Sequence, residues 1–147
     1  MIMKNKNIFN IPFSKIGIDI DVLPSIEKVL KSGNYILGDY TKKFESEFAE
    51  KADVDNAIAV NSGTSALFLS LLSLKIGKDD EVIVTPLTAF PTIEAIMYVK
   101  AKPIFVDVDE KTLNIDADKI EKKITKNTKC IIPVHLYGNP CDMDKNT

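Results

Sequence analysis

Short apolar runs alternate with helix-length segments along most of this 147-residue chain. Four runs are continuous rather than alternating in polarity, which is typical of strands covered on both faces. They occupy residues 57–60, 82–84, 104–106 and 130–134. Helical patterns lie between them at 64–76, 89–99 and 116–124, the last with Asp116 placed as its N-cap. This order predicts an α/β fold, with a buried and mainly parallel sheet flanked by helices.

The amino-terminal part adds two further predicted helices. An apolar stripe from Val22 to Leu30 predicts a helix that Gly33 ends, and Phe44 and Phe48 mark a second one. Residues 1–20 are predicted to form an amino-terminal arm, and no boundary is expected within residues 21–147. Residues 140–144 indicate the first turn of another helix.

Composition narrows the possible partners. All 19 basic residues are Lys, 21 residues are acidic and the net charge is −2, so the chain lacks the Arg side chains that favour nucleic acid. No apolar run approaches the roughly 20 residues of a membrane-spanning helix, and the polar start is unlike a signal peptide, which predicts a cytoplasmic protein without a membrane partner. Cys130 and Cys141 lack zinc or redox spacing and are interpreted as reduced structural thiols.

The strongest motif is a strand-to-helix turn that contains a glycine and several hydroxyl residues. Free backbone N–H groups at a helix amino terminus, with the hydroxyl of Thr64 or Ser65, can hold a phosphate without a cation. Gly63 would let the phosphate come close. The alternative is that Ser62 or Thr64 simply caps a helix.

Two other turns follow predicted strands, at residues 85–92 and 133–140. Ligands of open α/β sheets bind outside the carboxyl ends of the strands, so the three turns are expected to converge on one crevice. Four segments, the first of them the glycine turn, are similar in sequence, order and spacing to motifs of the DegT/StrS family of pyridoxal-phosphate-dependent sugar aminotransferases. They are Asn61-Ser62-Gly63-Thr64-Ser65-Ala66-Leu67, Pro103-Ile104-Phe105-Val106-Asp107-Val108-Asp109, Asn114-Ile115-Asp116 and Pro133-Val134-His135-Leu136-Tyr137-Gly138.

The resemblance implies part of an aspartate-aminotransferase-like large domain (fold type I), truncated and incomplete within residues 21–147. It implies pyridoxal 5′-phosphate as cofactor, with Gly63, Thr64 and Ser65 at its phosphate. It also places the turn after Thr88 beside the pyridine ring. Ala89 stands where relatives often have a stacking aromatic, so either Phe90 stacks on the ring or stacking is absent; Phe90 as a core residue is the alternative.

The implied reaction is transfer of an amino group, with glutamate as the expected donor, to a nucleotide-linked keto-sugar for polysaccharide biosynthesis, in a homodimer. No catalytic residue is assigned, because the family's imine-forming lysine and the carboxylate at the pyridine nitrogen lie beyond the last matched motif. The resemblance also implies that strands from that later part pair with residues 57–60. Alternatives are a dehydratase of the same family, a non-catalytic remnant, and a dinucleotide-binding domain, against which the absence of G-x-G-x-x-G argues.

Three residues and one segment invite other interpretations. His135, the only histidine, follows a predicted strand, and loop structure or pocket lining is favoured over catalysis. Asp107 and Asp109 lack a third ligand, so turn formation and capping are favoured over a metal site. Residues 33–38 resemble a loop near the substrate and the dimer partner, or form only a glycine-bounded connector.

Overall fold

The computed structural model describes Lys15, Gly17 and residues 20–144 of the chain. The chain divides between Ala59 and Val60 into two compact units, each described separately below. Most of the predicted arm at residues 1–20 lies outside the described residues, and the division into an arm and a domain from residue 21 stays a prediction.

The first unit contains two α-helices after a short 3₁₀ turn at Ile20–Val22. Helix α1 is Leu23–Ser32, and it ends where Gly33 takes the left-handed conformation with φ 69°. Helix α2 is Asp39–Lys51, with an acidic residue in its first turn and a basic one in its last, as the helix dipole favours. Both predicted helices are confirmed, although Ala49 is their only buried residue.

The second unit contains a parallel three-stranded sheet. Strands β1 (Glu81–Val84), β2 (Lys102–Phe105) and β3 (Thr128–Ile132) are arranged in the order β2-β1-β3. Both pairings are parallel, as predicted. The prediction of complete burial is confirmed for β1 only, because β2 and β3 each have one neighbouring strand among the described residues and stay partly exposed.

The two faces of β1 support two apolar clusters, since successive side chains of a strand point to opposite faces. Helices α3 (Gly63–Ser73) and α4 (Phe90–Tyr98) pack on the face that carries Val82 and Val84. Ile83 points to the other face, where it meets the buried side chains of Val106, Ile115, Ile120 and Cys141. The predicted helices at 64–76 and 89–99 are therefore confirmed, although α3 ends at Ser73.

Residues 57–60 do not form the predicted strand. Among the described residues no strand pairs with them, and Ile58 is 83% exposed. The N–H group of Ala59 donates instead to Oε1 of Glu45, at 2.8 Å. A strand needs a neighbour for its backbone groups, so apolar sequence alone does not produce one.

The predicted helix at 116–124 is also wrong, because the segment forms two 3₁₀ turns, Ala117–Lys119 and Glu121–Lys123. Asp116 does cap the first of them, accepting from the N–H of Asp118 at 3.1 Å. Ile120 is buried while Ile124 is exposed, so the segment has too narrow an apolar face to stabilise a longer helix. At the predicted carboxyl-terminal helix, Met143 and Asp144 form a turn, and residues 145–147 lie outside the described part.

Candidate functional site

The amino terminus of α3 is capped by its own serines. Ser62 is the N-cap in an extended conformation, and its Oγ accepts from the N–H of Ser65 at 3.1 Å. The Ser62 hydroxyl donates to Ser65 Oγ at 3.0 Å, and the Ser65 hydroxyl donates to Asn61 Oδ1 at 2.7 Å. Ser65, expected at a cofactor phosphate, therefore has both its N–H and its hydroxyl engaged within the turn.

Gly63 and Thr64 remain as the first two residues of the helix. Their N–H groups have no acceptor within the described ranges, whereas the N–H of Ala66 donates to the Ser62 carbonyl at 3.0 Å. A Cβ built on Gly63 would meet nothing within 4 Å, so the space beside this backbone is open. Two free amides at the positive end of a helix dipole can bind an anion there.

The second turn links β1 to α4. Thr85 is buried and its Oγ1 accepts from the N–H of Leu87 at 3.2 Å, while the hydroxyls of Thr88 and Thr92 lie 2.8 Å apart. Ala89 is the exposed N-cap of α4 and provides no side-chain cap. Phe90 is 71% exposed, so the interpretation of Phe90 as a core residue is wrong.

The third turn follows β3 and includes the only histidine of the chain. Nδ1 of His135 accepts from the N–H of Cys141 at 3.0 Å, so the proton of the neutral ring is on Nε2. This contact closes the loop and supports the structural interpretation of His135. Tyr137 is 94% exposed in a left-handed conformation with φ 51°.

The aspartates after β2 organise a turn, as predicted. Oδ1 of Asp109 accepts from the N–H groups of Lys111 and Thr112 and from the Thr112 hydroxyl, at 2.9 to 3.0 Å. These bonds, chiefly those from Thr112, hold the pKa of the Asp109 carboxyl below its usual range. Oδ1 of Asp107 accepts from the N–H of Val108. The described residues contain no group of three side chains able to hold a metal ion.

Two of the three turns lie at one edge of the sheet, and the packing of α3 on α4 points the first turn toward the same edge. The second and third turns directly follow the carboxyl ends of adjacent strands β1 and β3. A Cβ on Gly77, just after α3, would lie 3.8 Å from the carbonyl oxygen of Val99, the C-cap of α4. The carboxyl ends of the two helices are therefore neighbours, and their amino termini point toward the carboxyl edge of the sheet.

Asn114 is a residue to which the sequence analysis gave no role. It is 3% exposed, and its side chain bonds to the loop that carries His135. Its position in one of the matched motifs was the only signal in the sequence, because the hydrogen-bond partners of its side chain lie more than 20 residues away.

Residues 33–38 belong to the first unit, where they help to line an open cavity of about 370 Å³. Tyr35, Tyr40, Lys28 and Lys43 are among its lining residues. This cavity is compatible with both interpretations of the segment, a connector or a loop near a substrate.

In the described part of the chain, no helix is long and apolar enough to span a bilayer.

The motifs agree with a family model. The model of the DegT/DnrJ/EryC1/StrS aminotransferase family matches residues 18–146. The chain belongs to this family. It is 42% identical over 123 residues to the dTDP-3-amino-3,4,6-trideoxy-alpha-D-glucose transaminase of Micromonospora megalomicea, covering 84% of this chain and 33% of that relative. It is 51% identical over 108 residues to GDP-perosamine synthase of Escherichia coli O157:H7, covering 74% and 30%.

Two solved structures have a fold similar to that of this chain. The aminotransferase from Psychrobacter cryohalolentis is 44% identical with a TM-score of 0.84, and the match covers 92% of this chain and 35% of that one. NtdA from Bacillus subtilis, solved with the cofactor PMP, is 36% identical with a TM-score of 0.85, covering 97% and 34%. The prediction of a partial aminotransferase domain is confirmed, since the chain spans about a third of the length of these proteins.

Proposed function

We propose that this DegT-family chain binds pyridoxal 5′-phosphate through the phosphate, at the amino terminus of α3. The observation that carries the proposal is the pair of amides of Gly63 and Thr64, which have no acceptor among the described residues, beside a Gly63 backbone whose added Cβ would meet no atom within 4 Å. A doubly charged phosphate fits this cradle, because two N–H groups and the helix dipole all favour negative charge. The Thr64 hydroxyl is a third donor. Ser65 contributes through its bonds to Ser62 and Asn61, which fix the turn.

The turn that begins α4 is the proposed neighbour of the cofactor ring. Ala89 has no side chain that would obstruct a ring, and Phe90 is exposed and therefore free to contact a planar ligand. Bound pyridoxal phosphate would supply an electron-withdrawing ring that stabilises negative charge on an amino-acid carbon. The residues of this chain would bind and orient that ring, and none of them is assigned to proton transfer.

We propose that the whole protein transfers an amino group from an amino acid, with glutamate as the expected donor, to a nucleotide-linked keto-sugar. Support comes from the names of the relatives, a transaminase of a dTDP-sugar and a GDP-perosamine synthase. In this proposal residues 21–147 are the first part of the cofactor-binding domain. The enzyme acts as a cytoplasmic homodimer in the synthesis of polysaccharide sugars.

The proposal is tested by comparing two ligands on the purified chain. Pyridoxal 5′-phosphate and pyridoxal differ only in the phosphate, so isothermal titration of each reports what the phosphate contributes. Two charge-assisted hydrogen bonds of roughly 1.5–3 kcal/mol each predict at least about 100-fold tighter binding of the phosphate ester. Equal affinities would refute the phosphate site. Amino transfer itself is assayed on a protein that contains this chain and has the length of its relatives, as 2-oxoglutarate formed from glutamate when a nucleotide-linked keto-sugar is added.

A further inference from the structure

One buried amide joins two loops at the carboxyl edge of the sheet. The side-chain nitrogen of Asn114 donates to the carbonyl oxygens of Asn139 and Pro140, both at 3.0 Å. Its side-chain oxygen accepts from the N–H of Leu136 at 3.1 Å. Both N–H donors and the side-chain oxygen therefore have at least one partner, as is usual for buried polar groups.

The joined loops contain residues in conformations that need support. Leu113, next to Asn114, has φ 60°, and Tyr137 has φ 51°. Left-handed conformations are unfavourable for side chains such as these and persist where surrounding contacts determine them. A second amide completes the junction, because the side-chain nitrogen of Asn139 donates to the Thr112 carbonyl at 3.2 Å.

We propose that Asn114 is a positioning residue, which fixes loop 133–141 in the one conformation that forms a wall of the ligand pocket. Its three bonds span the loop, from Leu136 to Pro140, and so hold both sides of the turn that presents Tyr137. This inference rests on the proposed function for the identity of the ligand. The hydrogen bonds themselves do not depend on it.

The decisive variant is Asn114→Asp, which keeps the shape and the acceptor but places a carboxylate oxygen against two carbonyl oxygens. The matched control is Asn127→Asp, because Asn127 is exposed and its side chain has no hydrogen bond among the described residues. Hydrogen exchange followed by mass spectrometry is measured without ligand on both variants and the wild type. Asn114→Asp should speed exchange in residues 133–141 about tenfold or more, with no change in β1.

A pH profile separates positioning by the amide from a simple packing role. As pH falls, the buried carboxyl group of Asn114→Asp takes up a proton and can again donate one hydrogen bond. Protection of the loop should then partly return, relative to the exchange of unstructured reference peptides at each pH. Asn114→Ala, which cannot donate at any pH, should show no such return.

Ligand binding completes the test, with pyridoxal 5′-phosphate as the probe. If the loop occupies its competent conformation a third of the time, the apparent dissociation constant rises about threefold in Asn114→Asp, and Asn127→Asp matches the wild type. Unchanged loop exchange, faster exchange throughout β1, or unchanged affinity in Asn114→Asp would each overturn the positioning role. Failure of the wild type to bind the probe would overturn the proposed function, whereas the exchange results, obtained without ligand, would still decide whether Asn114 fixes the loop.

Discussion

Replacing Gly63 by alanine should separate folding from phosphate binding. The added methyl group meets no atom within 4 Å, and Gly63 is not in a left-handed conformation, so alanine fits the first turn of α3. Alanine also restricts the unfolded chain more than glycine does. The free energy of unfolding should therefore rise by about 0.4–1 kcal/mol, measured by urea unfolding and circular dichroism.

The same methyl group would stand on the Cα beside the Gly63 N–H group, where the proposed phosphate has to come close. A phosphate displaced from one N–H group loses a charge-assisted bond of roughly 1.5–3 kcal/mol, which corresponds to about 10- to 150-fold weaker binding of pyridoxal 5′-phosphate. Isothermal titration measures this change, and pyridoxal should bind the variant and the wild type equally. Gly77→Ala is the matched control, since its methyl group would make only an ordinary contact with the Val99 carbonyl oxygen. Undiminished affinity in a folded Gly63→Ala variant would refute the proposed phosphate site.

Three further substitutions test the packing and the turns. Ser62→Ala removes the cap of α3 and should lower the free energy of unfolding by about 1 kcal/mol, while an unchanged urea midpoint would contradict the capping geometry. Ile83→Ala empties a fully buried position and should cost roughly 2–5 kcal/mol in the same assay; a loss below about 1 kcal/mol would mean that the face of β1 that carries Ile83 is not packed. Asp109→Asn removes a carboxylate whose pKa is lowered by bonds from Thr112, so the wild type should be the more stable protein above the ordinary pKa of 3.8. That advantage should shrink and then disappear as pH falls below 3.8 and through the lowered pKa, and a difference that stays constant across this acid range would contradict this origin.

The sequence predicted well the elements that depend on neighbouring residues, and the strand whose pairing partners both lie within the second unit. Gly33 ends α1 because its backbone adopts φ 69°, a conformation that glycine reaches without penalty. The apolar run of β1 becomes a buried strand because β2 and β3 pair with it on both sides. Residues 57–60 have an equally apolar sequence, but no neighbouring strand among the described residues completes their hydrogen bonds. Whether an apolar run forms a strand therefore depends on a partner strand, and the sequence of the run itself does not show whether one is present.

For the candidate site too, the sequence predicted the features that depend on nearby residues and missed those that depend on distant ones. The anion-binding turn at Gly63 could be predicted, because a glycine and hydroxyl residues before an apolar helix act through backbone groups a few positions away. The exposure of Phe90 could not, since an aromatic at the start of a helix suits a core as well as a pocket. The role of Asn114 could not be predicted either. The hydrogen bonds of its side chain join residues 22 to 26 positions apart, and no local sequence pattern indicates them.

Helix capping and anion binding, which the sequence left as alternatives, are compatible at α3. The Ser62 side chain accepts a hydrogen bond from the N–H of Ser65, and the Ser62 carbonyl accepts one from the N–H of Ala66. The Ala66 bond is the first regular helical bond, to a carbonyl four residues earlier. The N–H groups before Ala66 lack such an acceptor, and the Ser62 side chain satisfies that of Ser65. The N–H groups of Gly63 and Thr64 are left at the open end, where an anion can reach them. The cap therefore orients the two remaining donors, and a variant that loses the cap should bind phosphate less well, not better.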